Sequence, residues 1–197
     1  MKSSVKEEFC NITMTGRICY IFMCIERYLT ALYPERDWTP IAKRMWQWTT
    51  HWWNESSDIY AVAVPEFILE FEGYEKTNEI AFDGCLSKRD YDEITALFKG
   101  ITHGDGTDEM CRVLMIPIDF GCICEGTSVK GAGPLVAELI EETEDILKKH
   151  DIPFPDKGLL KRFEYDRDKP VGLDEKEPGW GDNENTEDLS IILGHTE

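Results

Sequence analysis

The chain has 197 residues, 39 of them acidic against 21 basic, a formal net charge of −18 at pH 7. Yet 42% of it is hydrophobic, which excludes a disordered acidic linker and describes a folded domain. A surface this negative repels nucleic acid and anionic lipid and attracts basic surfaces, so neither polyanion is an expected partner.

The length fits one domain with a substantial core and no need of a metal or disulfide staple. Seven cysteines, several inside apolar runs such as Ile18-Cys19-Tyr20 and Met23-Cys24-Ile25, read as buried thiols of a reduced, intracellular protein. Cys122 and Cys124 stand one residue apart with no second Cys or His pair at zinc spacing, so no metal and no cofactor is expected. The opening residues carry an acidic pair where a secretion signal needs an apolar stretch. The longest apolar run, Ile18 to Ile25, is too short to cross a bilayer. The expectation is a cytoplasmic protein with no membrane partner.

Residues 16–33 are predicted helical, because Ile18, Ile21, Phe22, Ile25, Leu29 and Leu32 keep the three-and-four spacing of one face. Pro34 ends this helix, which is apolar enough to be central. A second helix is predicted from Trp38 to Trp53, with Pro40 in its first turn. Trp48 and Trp52 share one of its faces, Trp46 and Trp53 another. A third runs over 57–72, kinked or divided by Pro65, with Phe67, Ile68 and Phe71 on its apolar side and Glu66, Glu70 and Glu72 on its acidic side. Ser87 caps a fourth, whose stripe is Tyr91, Ile94, Leu97 and Phe98 and whose stop is Gly100. Residues 103–109 form a loop. Cys111 to Cys124 is an apolar run, with Pro117 and Gly121 inside, that fits a kinked helix or a buried strand; helix is preferred. After a glycine-containing loop, Gly133-Pro134 opens a last helix to His150, with basic residues at its C-terminus as the helix dipole favours. From Glu164 to the end, eleven acidic residues face three basic ones. The fold expected is all-α, a single-domain bundle of about six helices over 1–155. An irregular acidic tail over 156–197 follows, extended but able to dock at Leu189–Leu193.

No nucleotide-binding signature is present: Gly104-Asp105-Gly106 lacks a lysine, and two acids stand where a phosphate would sit. His103, Asp105, Asp108 and Glu109 do not keep calcium-loop spacing and read as a solvated turn. The four histidines lie far apart, and no local signature joins Cys10 or Cys24 to His51 as nucleophile and base. No catalytic residue is assigned, and the chain is not expected to be an enzyme. Glu26 interrupts an apolar face; it is either a buried acid with a raised pKa or a partner of Arg27 or Arg44. The tryptophans read as core, as interface anchors, or as both, with Trp46 or Trp53 exposed.

The apolar first helix with Cys24-Ile25-Glu26-Arg27, the Met45-Trp46-Gln47-Trp48 that follows, and the run Asp119 to Cys124 ahead of a final amphipathic helix resemble the helical immunity proteins of bacterial polymorphic-toxin systems. The resemblance spans residues 15–150. It implies a cytoplasmic antidote that binds and blocks a cognate toxin domain. A basic toxin such as a nuclease would be steered to an acidic antidote. The expected contacts are Glu66, Glu70 and Glu72, then Asp105, Asp108 and Glu109, then Glu141, Glu142, Glu144 and Asp145, with Trp46 and Trp53 as aromatic anchors. Two other readings stay open: a hydrolase-like enzyme with a site assembled from distant residues, and a homodimer sealed by its tryptophans.

Overall fold

The computed structural model describes residues 4–51, 53–168 and 177–194, the side chains of Trp53 and Asn54 apart. Over these residues the chain is all-α. Nine α-helices follow in order: α1 (Val5–Glu8), α2 (Met14–Leu32), α3 (Thr39–Gln47), α4 (Trp53–Ala61), α5 (Pro65–Ile68), α6 (Tyr74–Ala81), α7 (Lys88–Phe98), α8 (Glu109–Cys124) and α9 (Val129–Lys149). Short 3-10 turns at Trp48–Thr50, Lys157–Phe163, Pro178–Trp180 and Glu187–Leu189 complete the described elements. The larger helices start on side-chain caps: Thr13 accepts from the Gly16 amide, Ser87 from Asp90, Asp108 from Cys111 and Ser128 from Gly131. No helix among the described residues is long and apolar enough to cross a membrane.

Helix α2 is the axis. Met14 to Glu26 is buried without a break, and α2 packs against α3, α8 and α9. On one side Phe22 meets Trp46 and Trp48 edge-on at 5.6 and 6.2 Å between ring centroids, and Trp48 meets Tyr60 of α4 at 6.0 Å. These edge-to-face pairs knit α2, α3 and α4 beyond the area they bury.

The expected boundaries move where local chemistry overrides periodicity. The tryptophan helix tightens into a 3-10 turn after Gln47 instead of running to residue 53. The third expected helix is divided, because Val64 is extended ahead of Pro65 and separates α4 from α5. Residues 111–124 are helical through Pro117, and the Tyr60 hydroxyl donates to the Leu114 carbonyl one turn before the proline at 2.8 Å. Helix α9 begins at Val129, on the Ser128 cap, rather than at Pro134. Helices α1 and α6 were not expected at all.

The acidic C-terminal part packs far more extensively than the expected docking of Leu189–Leu193. Gly16 has no side chain where the Cβ of Phe163 arrives, 2.5 Å from the place its own Cβ would take. The Thr13 amide donates to the Phe163 carbonyl and the Tyr165 amide to that of Asn11, each at 2.9 Å. Residues 180–191 then run along α2 in its own direction. The Thr15 hydroxyl donates to the carbonyls of Trp180 and Asp182, Cys19 lies on Thr186, and Glu26 receives Ser190 and the Ile191 amide. Positions 15, 19 and 26 are four and seven apart, so they form one stripe of α2. An extended acidic tail is thus not what residues 157–168 and 177–194 form: Leu160, Phe163 and Leu189 are buried and hold it down. Residues 169–176 and 195–197 of that expected tail lie outside the described residues.

Candidate partner-binding surface

Charge is unevenly distributed. Residues 65–109, which make α5, α6, α7 and the loop before α8, carry twelve acidic and four basic residues, a net −8. Helix α5 starts on Pro65 and closes at Leu69. Gly73, at φ 85°, reverses the chain into α6, and Asp83 and Gly84, at φ 48° and 81°, take it out again. The Tyr74 hydroxyl donates to the Leu86 carbonyl at 2.9 Å, and the Asn78 side chain accepts from the Leu86 amide at 2.8 Å. These bonds hold α6 against the strand of chain that leads to α7.

Carboxylates gather in two places along this acidic rim, on α6 and where α5 meets the 103–107 loop. Glu75, Glu79 and Asp83, with Asn78 and Gly84, line one shallow depression of about 460 Å³. Beside Glu79, Ile80 is 56% exposed. The loop that carries Asp105 lies on α5: a Cβ at Gly106 would stand 3.2 Å from the Glu66 carboxylate. Asp105 is itself braced, since its carboxylate accepts from the Thr107 amide at 3.0 Å and hydroxyl at 2.8 Å, which hold its pKa below the ordinary value. Among the described residues, none of Glu66, Glu70, Glu72, Glu75, Glu79, Asp83 and Asp105 makes an ion pair. Nor do any three His, Cys, Asp or Glu among the described residues converge as a metal-holding group. This surface suits lysine and arginine side chains of a protein.

Several expected contacts prove to be internal. Glu144 is 4% exposed; it accepts from the Tyr20 hydroxyl at 2.8 Å and pairs with Lys157 at 2.9 Å. It therefore ties α9 to α2 and to the C-terminal segment and is withdrawn from any outer face. Glu142 is held bidentately by the Nε–Nη2 edge of the Arg112 guanidinium, whose Nη1 grips Asp119, and burial does not offset the rise these pairs give the Arg112 pKa. Burial opposes ionisation of Glu109, but hydrogen bonds from Lys149 and His150 outweigh it and leave the carboxyl below its usual range. Asp108 caps α8 and accepts from Thr102. Asp145 pairs with Lys148 at 2.6 Å, and Glu141 stays exposed. Of the ten carboxylates expected at the partner, five are thus engaged within the fold and Glu66, Glu70, Glu72, Asp105 and Glu141 are available.

Trp46 does not stand as an aromatic anchor. Trp46 is fully buried, because Ile41, Ala42, Met45 and Trp46 form the face of α3 that meets α2. Its indole N–H donates to Glu26 at 2.7 Å. The side chain of Trp53 lies outside the described residues. Glu26, in turn, pairs with neither Arg27 nor Arg44; Arg44 binds Asp90 at 3.0 Å instead. Burial pushes the Glu26 carboxyl above its ordinary pKa, against hydrogen bonds from Ser190, Trp46 and the backbone at 191–192. It is sealed at 0% exposure beneath the C-terminal segment.

Reading the sequence for periodicity missed Glu75, Glu79, Asp83 and Ile80. The signal was present but short: Gly73 and Gly84 bracket the segment, Glu75 and Glu79 stand four apart, and Tyr74 and Thr77 mark the opposite side. No family model, no curated protein and no solved structure matches the chain.

Proposed function

We propose that this protein works by binding: it captures a basic protein through the carboxylate rim of α5, α6 and the 103–107 loop. The observation that carries this reading is the depression lined by Glu75, Glu79 and Asp83, three carboxylates with no ion pair among the described residues. Exposed like charges gathered on one rigid surface destabilise the free chain and are relieved when a cation arrives. Ile80, exposed on the same helix as Glu75 and Glu79, supplies an apolar point of contact.

The specific partner follows from the likeness to immunity proteins: a toxin domain with a basic substrate site, for which the rim substitutes for a polyanion. The chain then acts as an antidote in the cytoplasm and performs no chemistry of its own. Association is accelerated by the opposed charges, toward about 10⁸ M⁻¹s⁻¹ at low ionic strength, and slows as salt screens them.

The test is a titration of the full chain with the C-terminal domain of a secreted protein encoded beside it. Tight binding that weakens steeply with salt is expected. Glu75→Lys with Glu79→Lys should slow association by about tenfold or more and leave folding intact. Absence of binding, or binding indifferent to this double change, overturns the reading.

A further inference from the structure

A second site of opposite sign lies elsewhere on the molecule. A cleft of about 370 Å³ opens between α1, the start of α9 and the segments at 165–168 and 177–179, and none of its lining residues belongs to 65–109. Lys6, Arg17, Lys130 and Arg167 all line it, four cations together in a chain of net charge −18. We propose that this cleft binds a small organic phosphate.

Arg17 carries the argument. It is 3% exposed. Its Nε donates to the Ile12 carbonyl at 2.9 Å and its Nη1 to that of Gly133 at 3.1 Å. Gly133 lets α9 come this close, since a Cβ there would stand 3.2 Å from Nη1. A guanidinium has five N–H donors, so three remain uncommitted among the described residues. No carboxylate among the described residues pairs with it. Buried charges are normally paired, and a cation left so is costly unless a ligand completes it. Burial accordingly pulls the Arg17 pKa below its ordinary value.

The surroundings define the ligand. Lys6, Lys130 and Arg167 are exposed at the cleft and make no ion pair among the described residues. Asp166, Asp168 and Glu177 also line it and keep their charge, while backbone amides fix the position of two of them. Glu177 accepts from the Val129 amide at 3.1 Å, and Asp166 from the Asp168 amide at 3.0 Å. The first turn of α9 adds the positive end of a 21-residue helix. Four cations against three carboxylates leave the lining a net +1, to which the helix start adds, and the three free N–H donors of the Arg17 fork match the several acceptor oxygens of a phosphate monoester. The volume exceeds that of a lone ion, and Tyr165, Val129, Pro134 and Pro178 give the cleft apolar walls for an organic body.

Calorimetric titration of the full chain at low salt tests this with phenyl phosphate, inorganic phosphate and benzoate as probes. Phenyl phosphate should bind one site at least tenfold more tightly than either of the others. Lys130→Ala with Arg167→Ala should weaken it tenfold or more while the urea midpoint stays put. Arg17→Lys should abolish it, but that variant is read only if it still folds; the exposed pair keeps the test independent of folding. No saturable binding of phenyl phosphate, equal affinity for benzoate or inorganic phosphate, or an affinity unmoved in the Lys130/Arg167 variant overturns the proposal.

Discussion

Helix α9 and the α5–α6 rim are both rich in carboxylates, and they use them oppositely. On α9 three of the five acids face cations of their own chain: Glu142 with Arg112, Glu144 with Lys157, Asp145 with Lys148. On the rim Glu66, Glu75, Glu79 and Asp83 face none among the described residues. Formal charge is therefore a poor guide to available charge. A carboxylate opposite an internal cation serves the fold; one without a cation keeps its charge available.

Substitutions break this comparison apart, beginning with the largest expected effect. Glu144→Ala strands the buried Tyr20 hydroxyl and leaves the part-exposed Lys157 with Glu8 alone, so it should destabilise by about 2 kcal/mol, measured by urea unfolding. A loss below about 1 kcal/mol would place Glu144 with the rim acids after all.

Glu26→Gln is next. A glutamine turns an amide N–H₂ toward one of the three donors that now converge on the carboxylate, from Trp46, Ser190 and the Ile191 backbone. An expected cost of about 1–3 kcal/mol should appear chiefly as faster hydrogen exchange at the Ile191 amide. Unchanged exchange there would show that the apolar contacts of Leu189 hold the C-terminal segment without the carboxylate.

The two perturbed acids should also give stability opposite slopes with pH. Glu26 is raised, so between the ordinary glutamate range and its folded value the native chain keeps a proton that the unfolded chain has released. Stability falls as pH rises through that window, and Glu26→Gln removes the slope. Glu109 is lowered; its stabilisation is full above the unfolded value and is lost as pH falls through the folded one. Glu109 is partly exposed, so Glu109→Gln should cost about 0.5 kcal/mol at neutral pH, and its urea midpoint should fall less in acid than that of the parent.

The smallest effect on stability belongs to the rim. Glu75→Gln and Glu79→Gln should change the unfolding free energy measured in urea by less than about 0.5 kcal/mol in either direction, because no internal cation is deprived. A loss above about 1 kcal/mol would mean that these acids are structural and would erase the contrast with α9.

The all-α class was legible because long apolar stripes survive most tertiary contexts: Ile18 to Leu32 and Leu135 to Leu147 repeat at helical spacing and became α2 and α9. Short helices carry too few repeats for that signal, so α6 was missed, and with it Glu75, Glu79 and Asp83. Trp46 was misplaced for another reason. Residue type marks an aromatic as either core or interface, and only the neighbour decides; that neighbour is Glu26, twenty positions earlier. The same holds for the acids of α9, whose cations arrive from Arg112 on α8 and from Lys157 in the C-terminal segment.

What the chain's order of residues determines by itself is local: which stretches coil, where Ser, Thr, Asp and Pro start or stop them, and that the molecule carries a surplus of negative charge. Which carboxylates remain free to act, and that a buried Arg17 waits in a cationic cleft, are decided only when distant segments meet. Ionic pairing depends on separations of a few ångströms between groups far apart in sequence, and packing alone sets those distances.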